Sequence, residues 1–141
     1  MASLADIRTG LRANLLAAGF LNVNAYTLPS PQVPCFEIDL DPEGAEYDQA
    51  FSRGLDTVYM IVRAVHAQGL DHATQVALDT YIDGAAGTDV KTALEADPSL
   101  GGAAQAIHVT GVMPRRYKSD TTGDLLMCLE WRVTVYCTGS S

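Results

Sequence analysis

Seven apolar side chains at every second position, Leu125, Met127, Leu129, Trp131, Val133, Val135 and Cys137, constrain this chain more than any other feature. Only an extended strand places alternate residues on one face. Residues 124–137 are therefore read as a long strand with a continuous buried face. Trp131 stands in the middle of that face and is assigned to the core rather than to an interface. Glu130, Arg132 and Thr134 fall on the opposite face. A substitution at Glu130 is accordingly expected to cost much less than one at Trp131.

A second strand runs over 55–66, and here both faces are largely apolar: Val58, Met60, Val62 and Ala64 on one, Thr57, Tyr59, Ile61, Arg63 and Val65 on the other. Such a strand suits the centre of a sheet, covered on both sides by helices or by a neighbouring subunit. Residues 33–40 form another, in which Phe36, Ile38 and Leu40 alternate with Glu37, Asp39 and Asp41. Shorter strands are expected over 21–27 and 106–113. Pro29 and Pro31 break the chain between the first two strands. Residues 41–54, polar and containing Pro42 and Gly44, read as a connection, and residues 114–123 as a polar connection long enough to project from the sheet.

Helices occupy the remaining periodic stretches. Leu4, Ile7, Leu11, Leu15 and Ala18 recur at three- and four-residue spacing, with Ser3 and Asp6 as a capping pair and Gly19 placed to end the helix. Arg8 and Arg12 flank that stripe one turn apart. Asp71 caps a helix to about Ile82, and Thr88 or Asp89 opens a short one that ends before Pro98. The order is α-β-β-β-α-α-β-β, a single α+β domain over 1–138 with helices on one face of a largely antiparallel sheet. Residues 139–141 read as a frayed tail.

The formal charge of −8 argues against a general nucleic-acid binder. With 48% apolar residues the chain is neither disordered nor membrane-like, and no apolar run approaches the roughly 18–20 residues of a membrane span. Asp6, Arg8 and Arg12 interrupt the apolar residues where a secretory signal would need them continuous. Cys35, Cys128 and Cys137 lack zinc-site spacing and read as buried, reduced thiols.

There is no G-x-S-x-G elbow, no phosphate loop and no dinucleotide fingerprint. His66, His72 and His108 show no ligand spacing. Glu37, Asp39 and Asp41, about 7 Å apart along a strand, with Glu43 beyond them, read as a solvated face rather than a metal site. No catalytic residue, cofactor or metal is assigned. A small hydrolase or ligand-binding domain remains the alternative, and a deep pocket holding His66, His108 and two carboxylates would favour it. One charge anomaly remains: Arg115-Arg116-Tyr117-Lys118 holds three of the nine basic residues within four positions. It reads either as a solvated hairpin tip or as a contact with an acidic partner or with DNA phosphate.

Two segments carry a resemblance. Tyr47-Asp48-Gln49-Ala50-Phe51-Ser52-Arg53-Gly54-Leu55-Asp56 leads into the central strand, and Val90-Lys91-Thr92-Ala93-Leu94-Glu95-Ala96-Asp97-Pro98-Ser99-Leu100-Gly101-Gly102 closes the helical middle. Together, in this order, they resemble the tail terminator proteins of long-tailed bacteriophages, especially those of actinobacteria. The resemblance implies a structural virion protein, not an enzyme. It implies a homo-oligomeric ring, commonly a hexamer, that caps the major tail tube protein and joins a head-to-tail stopper protein while DNA passes through the centre. A different head–tail connector or tail component shares the same plan. Tyr47, Asp48 and Arg53 join Arg115, Arg116, Tyr117 and Lys118 as the expected interface residues, in a protein assembled in the host cytoplasm and located at the head–tail junction of the virion.

Overall fold

The computed structural model describes residues 3–27, 34–47, 55–67, 72–84, 89–118 and 125–138. Its element order is α1 (Leu4–Ala17), β1 (Val23–Asn24), β2 (Cys35–Glu46), β3 (Leu55–Ala67), α2 (His72–Asp83), α3 (Val90–Leu94), a 3-10 turn (Leu100–Gly102), β4 (Ala106–Lys118) and β5 (Leu125–Thr138). This is the α+β order expected from the sequence. The strands form one sheet in the order β1-β2-β3-β5-β4, antiparallel except for the short parallel pairing of β1 with β2. Among the described residues no helix is long and apolar enough to cross a membrane.

Local chemistry sets the helix ends. The Ser3 hydroxyl accepts the Asp6 N–H at 3.0 Å, and the Asp89 carboxylate caps α3 by accepting from Lys91 N at 3.0 Å. Gly19, at φ +97°, carries the chain out of α1 in a conformation that a side chain would strain. Phe20 then turns back, its N–H bonding to Leu15 O.

All the described helices pack against one face of the sheet. Ile7, Leu11 and Leu15 of α1, Leu78 of α2, and Val90 and Leu94 of α3 join Ile38, Met60, Val62, Trp131 and Val133 in one buried cluster. Trp131 is 2% exposed, as its place in the apolar alternation predicts. Phe20, Phe36 and Tyr81 pack edge-on or tilted at ring-centroid distances of 5.1–5.8 Å, tying α2 to β2. Gly10 allows α1 to meet the turn after α3: a Cβ there would lie 2.6 Å from Leu100 Cβ and 2.8 Å from its carbonyl oxygen. Asn14, buried beside it, donates to Leu94 O and Asp97 O, satisfying carbonyls at the end of α3.

Three expectations change. Of residues 21–27 only Val23–Asn24 is strand, and Asn22 interrupts it at φ +56°. The connection expected from residue 41 begins later, because β2 runs on to Glu46 through a bulge. Leu40 pairs with Met60 and Ala45 with Val58, so four residues of β2 stand opposite Tyr59 alone. Pro42 and Gly44 read as loop residues, but a bulge uses both, and Gly44 supplies the positive φ of +68°. The third change is at residues 114–123: β4 continues through Pro114 to Lys118, paired with Leu129 to Leu125 of β5. β4 is the end strand, where a residue without an N–H is tolerated.

Candidate interaction surface

The face of the sheet turned away from the helices carries a cross-strand row of charge. Glu37 of β2, Arg63 of β3 and Glu130 of β5 are direct register partners. Arg63 Nη1 lies 3.5 Å from Glu37 Oε2, and Arg63 Nε donates to Glu130 Oε2 at 2.7 Å. The other oxygen of Glu130 meets Arg115 Nε from β4. Negative and positive groups therefore alternate across four strands. Asp39 stands 3.9 Å from Arg63. The β2 bulge brings Asp41 and Glu43 to Arg132, at 3.6 and 3.0 Å.

Burial separates this row from an ordinary solvated face. Glu37 is 3%, Asp41 6% and Glu130 7% exposed. The reading of Glu37, Asp39, Asp41 and Glu43 as a solvated row is thus corrected: two of the four are buried against guanidinium groups. A carboxylate removed from water needs a partner of opposite charge or several donors, and the arginines of neighbouring strands supply it. Burial opposes the charge on Arg63, yet the hydrogen bond to Glu130 and the nearby carboxylates outweigh it and raise the Arg63 pKa.

At one end of the same face Cys35, Val65, Leu126 and Cys128 form a small buried cluster. Burial, reinforced by Glu37 beside Cys35 and by Glu130 beside Cys128, pushes both thiols up to about 11. They are protonated at neutral pH and poor nucleophiles. Cys35, Cys128 and Cys137 are all free and buried, as the sequence suggests.

A groove of about 510 Å³ lies over the charge row, and seven of its eleven lining residues are charged. Small-molecule sites are instead mostly apolar with a few placed polar groups. His66 and His108 do not converge. Their β5 partners are Met127 and Thr134, seven residues apart, which is roughly 23 Å along the strand. His66 packs against Tyr81, and the half-exposed His108 lies 3.8 Å from Glu95. Among the described residues no group of three His, Cys, Asp or Glu side chains could hold a metal ion.

The expected interface residues fall in different settings. Arg115 and Arg116 are not in a projecting loop; they lie within β4, opposite Cys128 and Met127. Arg115 is anchored to Glu130, while Arg116 is exposed and makes no ion pair among the described residues. The backbones of Tyr117 and Lys118 continue β4 opposite Leu126 and Leu125. Tyr47, just past β2, is 61% exposed. Asp48 and Arg53 lie outside the described residues.

The roles of Arg8 and Arg12 are not apparent from the sequence. Arg8 Nη1 donates to Ala25 O and Ile38 O at 2.7 and 2.6 Å and stacks over Tyr26 at 4.3 Å. Arg12 Nε donates to Val23 O at 2.8 Å. Two helix arginines thus occupy carbonyls at the β1–β2 side of the sheet, where strand pairing stops. Their one-turn spacing beside the apolar stripe was the available signal.

Neither a scan against protein-family models nor a search of curated proteins finds a match for this chain.

Proposed function

We propose that this chain is a structural ring subunit, a tail terminator of the kind found in long-tailed bacteriophages. It would cap the tail tube, stop its growth and join it to the head-side connector. The observation that carries the reading is the face opposite the helices. Every described helix packs on one side of the sheet. The other side presents a paired charge row, with Met113 42% exposed along the groove. A face of that kind suits contact with other subunits better than it suits a small substrate. The two-layer α+β plan agrees with the element order that the resemblance implies.

The net charge of −8 fits a ring that DNA crosses without adhering. Symmetry-resolved imaging of particles containing this chain tests the proposal. A closed ring, most simply of six copies, is expected at the head-proximal end of the tail tube. A single copy, or a position away from that junction, overturns it. A strongly basic channel in the ring would remove the argument about DNA while leaving the rest.

A further inference from the structure

We propose that the protein associates head-to-tail with a second copy of itself, the β2 margin of one copy seating against the β4 margin of the next. The inference rests on the ring reading only in requiring a neighbouring copy, and it names the surfaces.

The two ends of the sheet differ in charge. Among the described residues β2 pairs with β1 only at Phe36 and Glu37, and beyond that it carries the half-buried Asp39 and the exposed Glu43 and Glu46 beside exposed Leu40. Asp39 and Glu43 already stand 3.9 Å from Arg63 and 3.0 Å from Arg132, but with Asp41 and Glu46 the margin sets four carboxylates against those two guanidiniums, so it stays net acidic. β4 pairs only with β5 and carries Arg115 and Arg116, both exposed, beside exposed Met113. Arg115 also meets Glu130, and among the described residues the cations elsewhere are committed. Arg8 and Arg12 donate to backbone carbonyls, Arg63 and Arg132 to the charge row, and Lys91 to Glu95. In a chain of net charge −8, two copies repel in most orientations. The orientation that sets an acidic margin against a basic one is the exception, and charge complementarity of this kind fixes register and partner.

Because the margins are different surfaces on opposite sides of one sheet, the contact is heterologous. Such contacts repeat around a ring or continue into a filament. The backbone itself is poorly suited to simple strand addition. β4 is interrupted by a bulge at Thr110 and by Pro114, features that blunt an edge against pairing. Side chains therefore make the contact. Register adds a further constraint. Arg115 lines up through Cys128 and Val65 with Cys35, four residues short of Asp39. Neighbouring copies are thus displaced by about 13 Å along the strands, and the strands run oblique to the direction of assembly.

Two variants test this, D39K/E46K and M113E/R116E, each compared with the parent by sedimentation at low and at physiological salt. The first makes both margins basic and the second makes both acidic. Both variants keep Glu130, Arg63 and Arg115, but D39K sets a cation near Arg63 and M113E a carboxylate opposite Glu130. Unchanged melting temperatures are therefore required of both; if either melts lower, E46K and R116E alone, which leave Asp39 and Met113 in place, carry the same comparison. Each variant alone is expected to lose association by roughly tenfold or more in equilibrium constant. Their equimolar mixture is expected to regain it, because every contact in an alternating assembly is again acid against base. Either variant associating like the parent overturns the proposal, as does a mixture that stays monomeric or a parent that is monomeric at low salt and high concentration. Association with these properties in a protein absent from the tail junction would defeat the tail reading alone. A ring at that junction built equally well by either variant would defeat this inference alone.

Discussion

One residue separates two kinds of cohesion in the centre of this sheet. Ile38, Val62, Trp131 and Val112 face one another across four strands on the helix-covered side. Their chain neighbours Glu37, Arg63, Glu130 and Met113 do the same on the other side. The first row is held by volume: apolar atoms fill the space beneath α1 and α3, and no direction is required. The second is held by pairing, where each carboxylate owes its tolerance of burial to a guanidinium on the adjacent strand. The comparison teaches that register does two jobs here. A slip of one residue would bring Arg63 under the helices and Trp131 to the charged side, so the pattern rejects alternative pairings on both faces at once.

The largest expected effect lies on the apolar side. Trp131→Ala should destabilise the protein by about 3–5 kcal/mol, from lost burial and the cavity left behind. Equilibrium urea unfolding followed by circular dichroism measures it. A loss below that of any charged-row substitution would break the comparison, since volume would then not be the stronger term.

Glu130→Ala comes next. Removing one member of a buried ion pair leaves the other charge uncompensated, at a cost of about 3–5 kcal/mol. Arg63 keeps Glu37 at 3.5 Å and Asp39 at 3.9 Å, so the lower end, about 3 kcal/mol, is expected. The triple variant Glu37→Leu/Arg63→Met/Glu130→Leu should recover much of that loss, because it removes Arg63 together with both buried carboxylates beside it and leaves only the exposed Arg115 without its partner. If the triple variant is as unstable as the single one, the row contributes through specific bonds rather than through mutual compensation. The sequence alone predicts a small effect for Glu130→Ala; its burial against Arg63 reverses that expectation.

The reversal shows where sequence reasoning reaches its limit. Strand alternation told the two faces of β5 apart and put Trp131 in the core, because that information is local. Whether Glu130 is wet depends on Arg63, 67 residues away, and on Arg115 of the end strand. The available hint was an arginine inside an otherwise apolar strand and a glutamate inside another: opposite charges on two central strands find each other when register allows. Pro42, Gly44 and Pro114 misled for a related reason. Each is a turn signal in isolation, yet a bulge or an end strand accommodates it, and position in the sheet is not written locally. The helix caps at Ser3 and Asp89 were legible because capping is complete within three residues.

A smaller effect is expected at the seam between α1 and the turn after α3. Gly10→Ala gains about 1 kcal/mol of helix propensity. Its new methyl would meet Leu100 at a distance that real structures do not show, 2.8 Å from the carbonyl oxygen, which is backbone and cannot swing away. Overpacking costs about 1–3 kcal/mol, so a modest net loss is expected. A stabilised Gly10→Ala variant would show that the helix layer can lift from its turn, and that the apolar side is less tightly filled than the row at Trp131 implies.

The smallest effect separates the faces by pH. His66 lies at the end of β3, in ring contact with Tyr81 of α2 at 5.7 Å. Burial lowers its pKa from the ordinary 6.5, so the folded state holds it neutral where the unfolded chain would bind a proton. The unfolded state then carries more protons, and stability rises with pH through that window. The contribution is therefore complete above 6.5 and is lost as pH falls from there through the lower folded value. Glu95 loses its own contribution in a separate, more acidic window: burial opposes its charge, but the Lys91 and Val109 hydrogen bonds outweigh this and hold it below 4.5. Replacing His66 with Phe keeps a ring against Tyr81 and removes the titration. Unfolding free energies measured across the His66 window should rise with pH in the parent and stay flatter in the variant. Equal slopes in the two proteins would show that proton binding at His66 does not distinguish folded from unfolded chain, and the helix-covered face would then be insensitive to pH over that range.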